Sequence, residues 1–172
     1  MLPKWREASS FVIATAVTIT TMALQVAPAQ AADYHRVLAD HSRYWGERDL
    51  RSLHLQALVQ AFRSTCLVAR AGEEIHGYIF GFVTPAATGY VHLVAVRDDA
   101  RHTGLGRGLY RAFAEAAEGH GAVRLKAITS VSNTGSIAFH HSLGFDSSTV
   151  EDYNGPDQPM VVFRRDLPLT VD

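Results

Sequence analysis

With 172 residues, 47% hydrophobic and 19% charged, the chain has the composition of one folded domain with its own core, not of a disordered segment. Sixteen basic against seventeen acidic residues give a formal charge of −1, and no basic run offers a nucleic acid electrostatic support. The single Cys66 excludes an intramolecular disulfide, and nine scattered histidines without metal-ligand spacing argue against a structural metal.

The first thirty residues allow two readings. Lys4 and Arg6, an apolar run and the small residues of "APAQAA" imitate a secretory signal peptide, which would make the protein secreted. The favoured alternative makes "TMALQVA" the first strand, with Pro28 opening a helix, and leaves residues 1–21 as an extension or start-site artefact. The domain then runs over 22–168 with a tail at 169–172, and a cytoplasmic location is expected. The threonine-interrupted apolar stretch is short for a transmembrane helix.

The first helix, "PAQAADYHRVLADHSRYW", is expected to turn Ala32, Val37 or Leu38, His41 and Trp45 to one face. After the break at "WGERDL" (45–50), Leu55, Leu58, Val59 and Phe62 recur at helical spacing over 51–62. "TCLVARAGEEIHGYIFGFV" (65–83) reads as two strands about Gly72, residues 84–89 as a loop, and "YVHLVAV" (90–96) as a further strand. A glycine-rich segment follows, then a helix with Leu105, Leu109, Ala112 or Phe113, and Ala116 on one face, ended by "EGHG" (118–121). "AVRLKAI" (122–128) alternates Val123, Leu125 and Ala127 with Arg124 and Lys126 as a half-buried strand. A helix over roughly 134–143 and a last strand in "NGPDQPMVVFRRDL" complete a mixed α+β domain.

The segment "RHTGLGRG" (101–108) is the chemical signal. It lacks the Gly-Lys-Ser/Thr ending of a P-loop. Its glycines are spaced G-x-G-x-G rather than G-x-G-x-x-G, and no carboxylate follows at the end of the next strand, so a dinucleotide fingerprint fails as well. A strand end, a glycine turn flanked by arginines and an immediate helix start describe a different anion cradle. Outward-facing amides and the positive end of the helix dipole would meet a diphosphate there. One glycine would suffice for a mere tight turn.

"RHTGLGRG" resembles the R/Q-x-x-G-x-G/A signature of the GNAT superfamily of N-acetyltransferases, and "SNTGSIAFHHSLGF" (132–145) resembles that family's second motif, an Asn followed by a helix ending in Leu-Gly-Phe. The resemblance implies the acyl-CoA N-acyltransferase fold, a twisted, mostly antiparallel sheet flanked by helices, with acetyl-CoA as cosubstrate. It implies that Arg101, His102, Thr103, Gly104, Leu105, Gly106 and Arg107 hold the pyrophosphate. Val94, Ala95 and Val96 would face the pantetheine arm and acetyl carbonyl in a V-shaped slot, with Asn133 and Ser136 on its other side. Many family members place a Tyr five residues before the Phe of the "GF" ending as proton donor; here that residue is His140, a candidate acid.

The reaction implied is attack of an amine on a thioester. An alkylamine with a pKa of about 10.4 needs its proton removed more than a thiol of about 8.5 needs one supplied. His92 and Tyr90, on the strand leading to the slot, are the base candidates, against a plain strand-histidine role for His92. "AGEE" reads better as a hairpin tip than as a base, and Cys66 as a buried core thiol. Tyr44, Trp45 and Arg48, at the junction of the first two helices, are candidates to line the acceptor pocket, although a Trp there also suits a core. No acidic pocket for a polycation is evident.

The resulting expectation is direct acetyl transfer to a small-molecule or peptide amine in a ternary complex, with neither nucleic acid nor membrane as partner. The resemblance also implies that exposed edge strands can pair in a homodimer. Two rivals remain: a non-catalytic acyl-CoA-binding module on the same fold, motivated by His140, and a secreted binding protein, motivated by the N-terminus.

Overall fold

The computed structural model describes residues 24–169. The whole proposed extension (1–21), Met22 and the end of the tail lie outside the described residues. Seven strands form one sheet: β1 (Gln25–Pro28), β2 (Leu67–Ala71), β3 (Glu74–Thr84), β4 (Thr88–Val96), β5 (Arg124–Ser130), β6 (Asp146–Val150) and β7 (Met160–Asp166). Their spatial order is β1-β2-β3-β4-β5-β7-β6, and every pairing is antiparallel except β4 with β5. The helices are α1 (Ala31–Ala39), α2 (His41–Trp45), α3 (Gln56–Ala61), α4 (Leu105–Gly119) and α5 (Thr134–Ser142). Among the described residues no helix is long and apolar enough to cross a membrane, and no His/Cys/Asp/Glu group could hold a metal ion.

The core has two layers, one on each face of the sheet. On one face α4 buries Leu105, Leu109, Tyr110, Phe113, Ala114 and Ala117 against Leu125, Ala127, Val161 and Phe163. This is the amphipathic stripe the spacing predicts, with Phe113 rather than Ala112 inward, but it ends on Ala117 where Ala116 was expected, and Ala116 is only half-buried. A buried Leu or Phe of this kind stabilises by roughly 1.5–3 kcal/mol. On the other face Val37, Tyr44, Val59, Tyr78, Phe80, Leu93 and Ala95 pack together.

Several expected elements differ. The first helix breaks at Asp40, so α1 and α2 present Asp33, Tyr34, Val37, His41 and Tyr44 inward and leave Ala32 exposed. The second helix is shorter than 51–62: Arg51–Leu53 form a 3₁₀ turn before α3, and Leu55 and Phe62 stay exposed. Val123 precedes β5 and is exposed, while Leu125 and Ala127 are buried as expected. β6 was not anticipated at all. Its "DSSTV" stretch has no alternation to read, and only its antiparallel register with β7 makes it a strand.

The parallel pair β4–β5 is the feature that positions the site. Its ladder covers Thr88–Val91 against Arg124–Ala127 and then stops. β4 continues to Val96 along β3, and β5 continues to Ser130 along β7. Each strand is held by its outer neighbour while the two inner edges part, which leaves a wedge-shaped opening. At its closed end β4 carries a bulge: Leu93 pairs with Phe80 and Val91 with Gly81, so His92 is the extra residue. The bulge flips parity, so Val91 joins the α4 layer while Leu93 joins the opposite one.

Candidate active site

The wide end of the opening meets the start of α4. Gly104, its N-cap, has φ +85°, and a Cβ there would meet nothing within 4 Å, so the backbone is bare to solvent. The first helical bond found is Gly108 N–H to the Gly104 carbonyl, at 3.0 Å. The amides of Leu105, Gly106 and Arg107 therefore have no partner within the helix and point out from its positive end. A Cβ on Gly106 would lie 3.1 Å from the Phe139 ring and 3.7 Å from Val96 Cγ2, so β4, α4 and α5 converge closely here and a side chain would have to push Phe139 aside. This bare, positively polarised cradle fits a pyrophosphate.

The neighbouring side chains are engaged with protein. Arg101 donates from Nη2 to the Tyr44 carbonyl (2.9 Å), with Nε 3.4 Å from the Val96 carbonyl. Thr103 Oγ1 donates to the Ala100 carbonyl at 2.7 Å, and Arg107 reaches the Ser142 carbonyl at 3.4 Å. His102 adopts φ +62°, a left-handed conformation unusual outside glycine. The turn is thus shaped largely by side chains bonding backward, and its backbone faces outward.

Along the β4 edge, Arg97 N–H bonds the His76 carbonyl on β3. Hydrogen-bonded pairs alternate in an antiparallel ladder, so the Ala95 peptide groups also turn to β3, and those of Val94 and Val96 turn to the opening. Ala95 differs in this respect from its two neighbours, and its side chain sits in the layer opposite α4. Across the opening, Asn133 caps α5 by accepting from Ser136 N–H (3.2 Å) and donates to Thr129 Oγ1 (3.0 Å). Its side chain fastens the end of β5 to α5.

His140 does not present a free acid to the opening. Its ring is 3% exposed and stacks on Phe163, with centroids 4.1 Å apart and planes within 4°. Nδ1 lies 2.8 Å from the Ser136 carbonyl, which only accepts, so Nδ1 carries the proton. Nε2 then accepts from the Tyr110 hydroxyl at 2.5 Å. Both nitrogens are occupied, and burial pushes the imidazole down to about 4, with His141 adding a smaller effect in the same direction.

His92 stands differently. Its Nε2 lies 2.8 Å from the Leu53 carbonyl. The same logic puts the proton on Nε2 and leaves the lone pair on Nδ1. Two residues away, Tyr90 packs on Phe82, and burial pushes its hydroxyl up to about 12, so it stays protonated near neutrality.

Of the residues expected to line the acceptor pocket, Tyr44 is core: it is 2% exposed, and its hydroxyl donates to the Ile75 carbonyl at 2.8 Å. Trp45 donates from Nε1 to the Tyr78 hydroxyl (2.7 Å), and the Arg48 guanidinium lies 5.3 Å from the Trp45 ring centroid. The Tyr78 hydroxyl in turn donates to His54 Nε2 at 2.7 Å, because His54 Nδ1 bonds the Leu50 carbonyl at 2.9 Å. His41 Nε2 accepts from Leu50 N–H at 3.2 Å. Two buried histidines therefore clamp the two peptide groups that flank the Leu50 Cα and fix the turn that carries Leu53, and burial lowers both their pKa values. None of these contacts was readable from the sequence.

A separate cavity of about 420 Å³ lies between α1–α2 and the β2–β3 hairpin. Its three arginines are each paired, Arg36 with Glu73, Arg43 with Asp99, and Arg97 with Glu74 and Asp99, so it is a salt-bridged joint. Cys66 is buried, and its thiol is pushed up to about 11, as suits an inert core residue.

The profile of the acetyltransferase (GNAT) family matches residues 31–145, and the chain belongs to that family. Solved structures agree on the fold. The ribosomal-protein-alanine N-acetyltransferase from Brucella melitensis is 26% identical with a TM-score of 0.63, covering 83% of this chain and 99% of its own. The diaminobutyrate acetyltransferase EctA from Paenibacillus lautus, solved with L-2,4-diaminobutyric acid and coenzyme A, is 20% identical with a TM-score of 0.62, covering 88% and 98%. The PaiA N-acetyltransferase from Thermoplasma acidophilum, solved with coenzyme A, is 15% identical with a TM-score of 0.69, covering 85% and 100%. No curated protein matches the chain in sequence. Family and fold stand as the two glycine and asparagine motifs implied, and acetyl-CoA is the cosubstrate that goes with them.

Proposed function

We propose that the protein transfers an acetyl group from acetyl-CoA to a primary amine by direct attack within a ternary complex. The observation that carries this reading is the opening between β4 and β5, with an unpaired helix start at its wide end and His92 bulged out at its closed end. The amides of 105–107 would hold the pyrophosphate, and the peptide groups of Val94 and Val96 the pantetheine arm. The bound thioester supplies the activated acyl carbon. His92 Nδ1 takes the proton that the amine loses as its nitrogen bonds that carbon, while the Leu53 carbonyl keeps Nε2–H in place through both protonation states. The departing thiol, with an ordinary pKa of about 8.5, takes its proton from solvent. His140 is assigned to packing in this scheme, and Tyr90 to the wall of the acceptor side.

Calorimetric titration with acetyl-CoA, with NAD and ATP as controls, tests the cofactor. Saturable binding of acetyl-CoA alone is expected, weakened at least tenfold by Gly106→Glu, whose side chain would displace Phe139. One observation favours a second reading, a non-catalytic acyl-CoA-binding module: no free side-chain acid stands at the usual tyrosine position, because His140 is sealed. Thiol release across an amine panel separates the two, and binding without turnover on any amine would select the module.

A further inference from the structure

We propose that Lys126 and Arg164 form an anion subsite for the carboxylate of the acceptor, which is therefore a free amino acid or a similarly short amino-carboxylate. The proposal rests on the transfer reading above and names the substrate class for that same site.

Lys126 pairs in register with Tyr90, one step before the β4–β5 ladder ends at Val91 and Ala127. It projects opposite Leu125 and Ala127, which belong to the α4 layer, and so lies on the face that carries Tyr90, Phe82 and the Leu53 contact of His92. On β7 its direct neighbour is Arg164. Two like charges facing each other across an antiparallel pair are destabilising unless something compensates them. Among the described residues neither has a carboxylate within ion-pair distance. Acids are at hand all the same: Asp146 stands opposite Arg164 on β6, yet Arg164 bonds Ser148 Oγ at 3.2 Å, and Asp166 serves Arg124.

The Lys126 ammonium is also not a loose surface charge. It lies 5.9 Å from the Tyr90 ring centroid and 5.3 Å from that of Tyr153, which the β6–β7 connection brings over the sheet. Two aromatic faces hold the cation in place while leaving its charge uncompensated. A carboxylate at this position would meet the Lys126 ammonium between the two rings, with Arg164 as the next residue across the sheet on β7. Tyr90 and His92 are two residues apart on β4, and Lys126 is the register partner of Tyr90. An amine delivered to His92 Nδ1 and a carboxylate held by Lys126 therefore belong to one small molecule.

The test uses the coenzyme A-loaded full chain and calorimetric titration with N-acetylglycine and N-acetyl-β-alanine, each against its carboxamide. The acids are expected to bind at least tenfold more tightly than the amides. Lys126→Met should abolish the difference and Arg164→Gln should reduce it, with cooperative thermal unfolding retained in both variants. Equal binding of acids and amides, no binding of either acid, or a preference that survives both substitutions would overturn the subsite. Thiol release with the parent amines is measured in parallel. Acid-selective binding without turnover would remove the transfer reading and leave the subsite standing.

Discussion

Acidification gives the most searching check on the core around His140. Burial pushes this imidazole down to about 4 in the folded protein, whereas the unfolded chain titrates at the ordinary 6.5. Between those values the unfolded state binds the extra proton, so stability falls as pH falls. The contribution is fully present above 6.5, declines through the interval and levels off near 4. A gap of about 2.5 pH units at 1.36 kcal/mol each is worth about 3 kcal/mol. Urea denaturation of the wild type and of His140→Gln, from pH 8 to pH 4, reads it directly. Near neutrality the variant should be less stable by about 1–3 kcal/mol, because the Tyr110 hydroxyl loses its geometry and Phe163 its stacked partner. As the pH drops the wild type should lose about 3 kcal/mol more than the variant, so the difference vanishes or reverses, since only the wild type has this proton to gain. His41 and His54 titrate in the same direction but are present in both proteins, so the difference isolates His140. Parallel curves across the whole range would refute the neutral, doubly bonded imidazole.

His92→Gln keeps a donor for the Leu53 carbonyl and removes the basic nitrogen, so kcat should fall by about 10²-fold or more with acetyl-CoA affinity unchanged. Steady-state rates beside a calorimetric Kd check both halves, and an unaltered kcat would take the base role from His92. Tyr78→Phe strips the hydroxyl that joins Trp45 to His54, and chemical denaturation should record a loss of about 1–3 kcal/mol. Arg70→Met leaves the Asp33 carboxylate, 2% exposed, with only the Gln30 amide as partner. That should cost about 3–5 kcal/mol, and adding Asp33→Asn should restore a large part of it.

The chain order of the main elements, the glycine cradle and the cap of α5 were legible because each is written in local chemistry. Apolar residues at helical spacing make α4 whatever surrounds it, and Gly72 and Gly121 mark turns where the backbone adopts positive φ. Gly104 and Asn133 act on their own helix ends, within four residues of themselves. Such features need no distant partner, so spacing alone identifies them, and with them the family.

What depended on distant partners was not legible. β6 exists through its pairing with β7, since "DSSTV" carries no pattern of its own. His140 looked like a helix-surface acid, but Tyr110, thirty residues upstream, and Phe163, on β7, enclose it and occupy it. His92 acquires a defined tautomer only because a carbonyl 39 residues away accepts from it. Lys126 reads as the polar half of an alternating strand, and only the sheet order sets it between Tyr90 and Tyr153 and beside Arg164. Sequence by itself determined the local turns, caps and amphipathic faces that define an acetyltransferase scaffold. Tertiary structure alone decided which nitrogen is free, which cation is unpaired and where the sheet opens, because burial and hydrogen-bond partners are set by residues far apart in the chain.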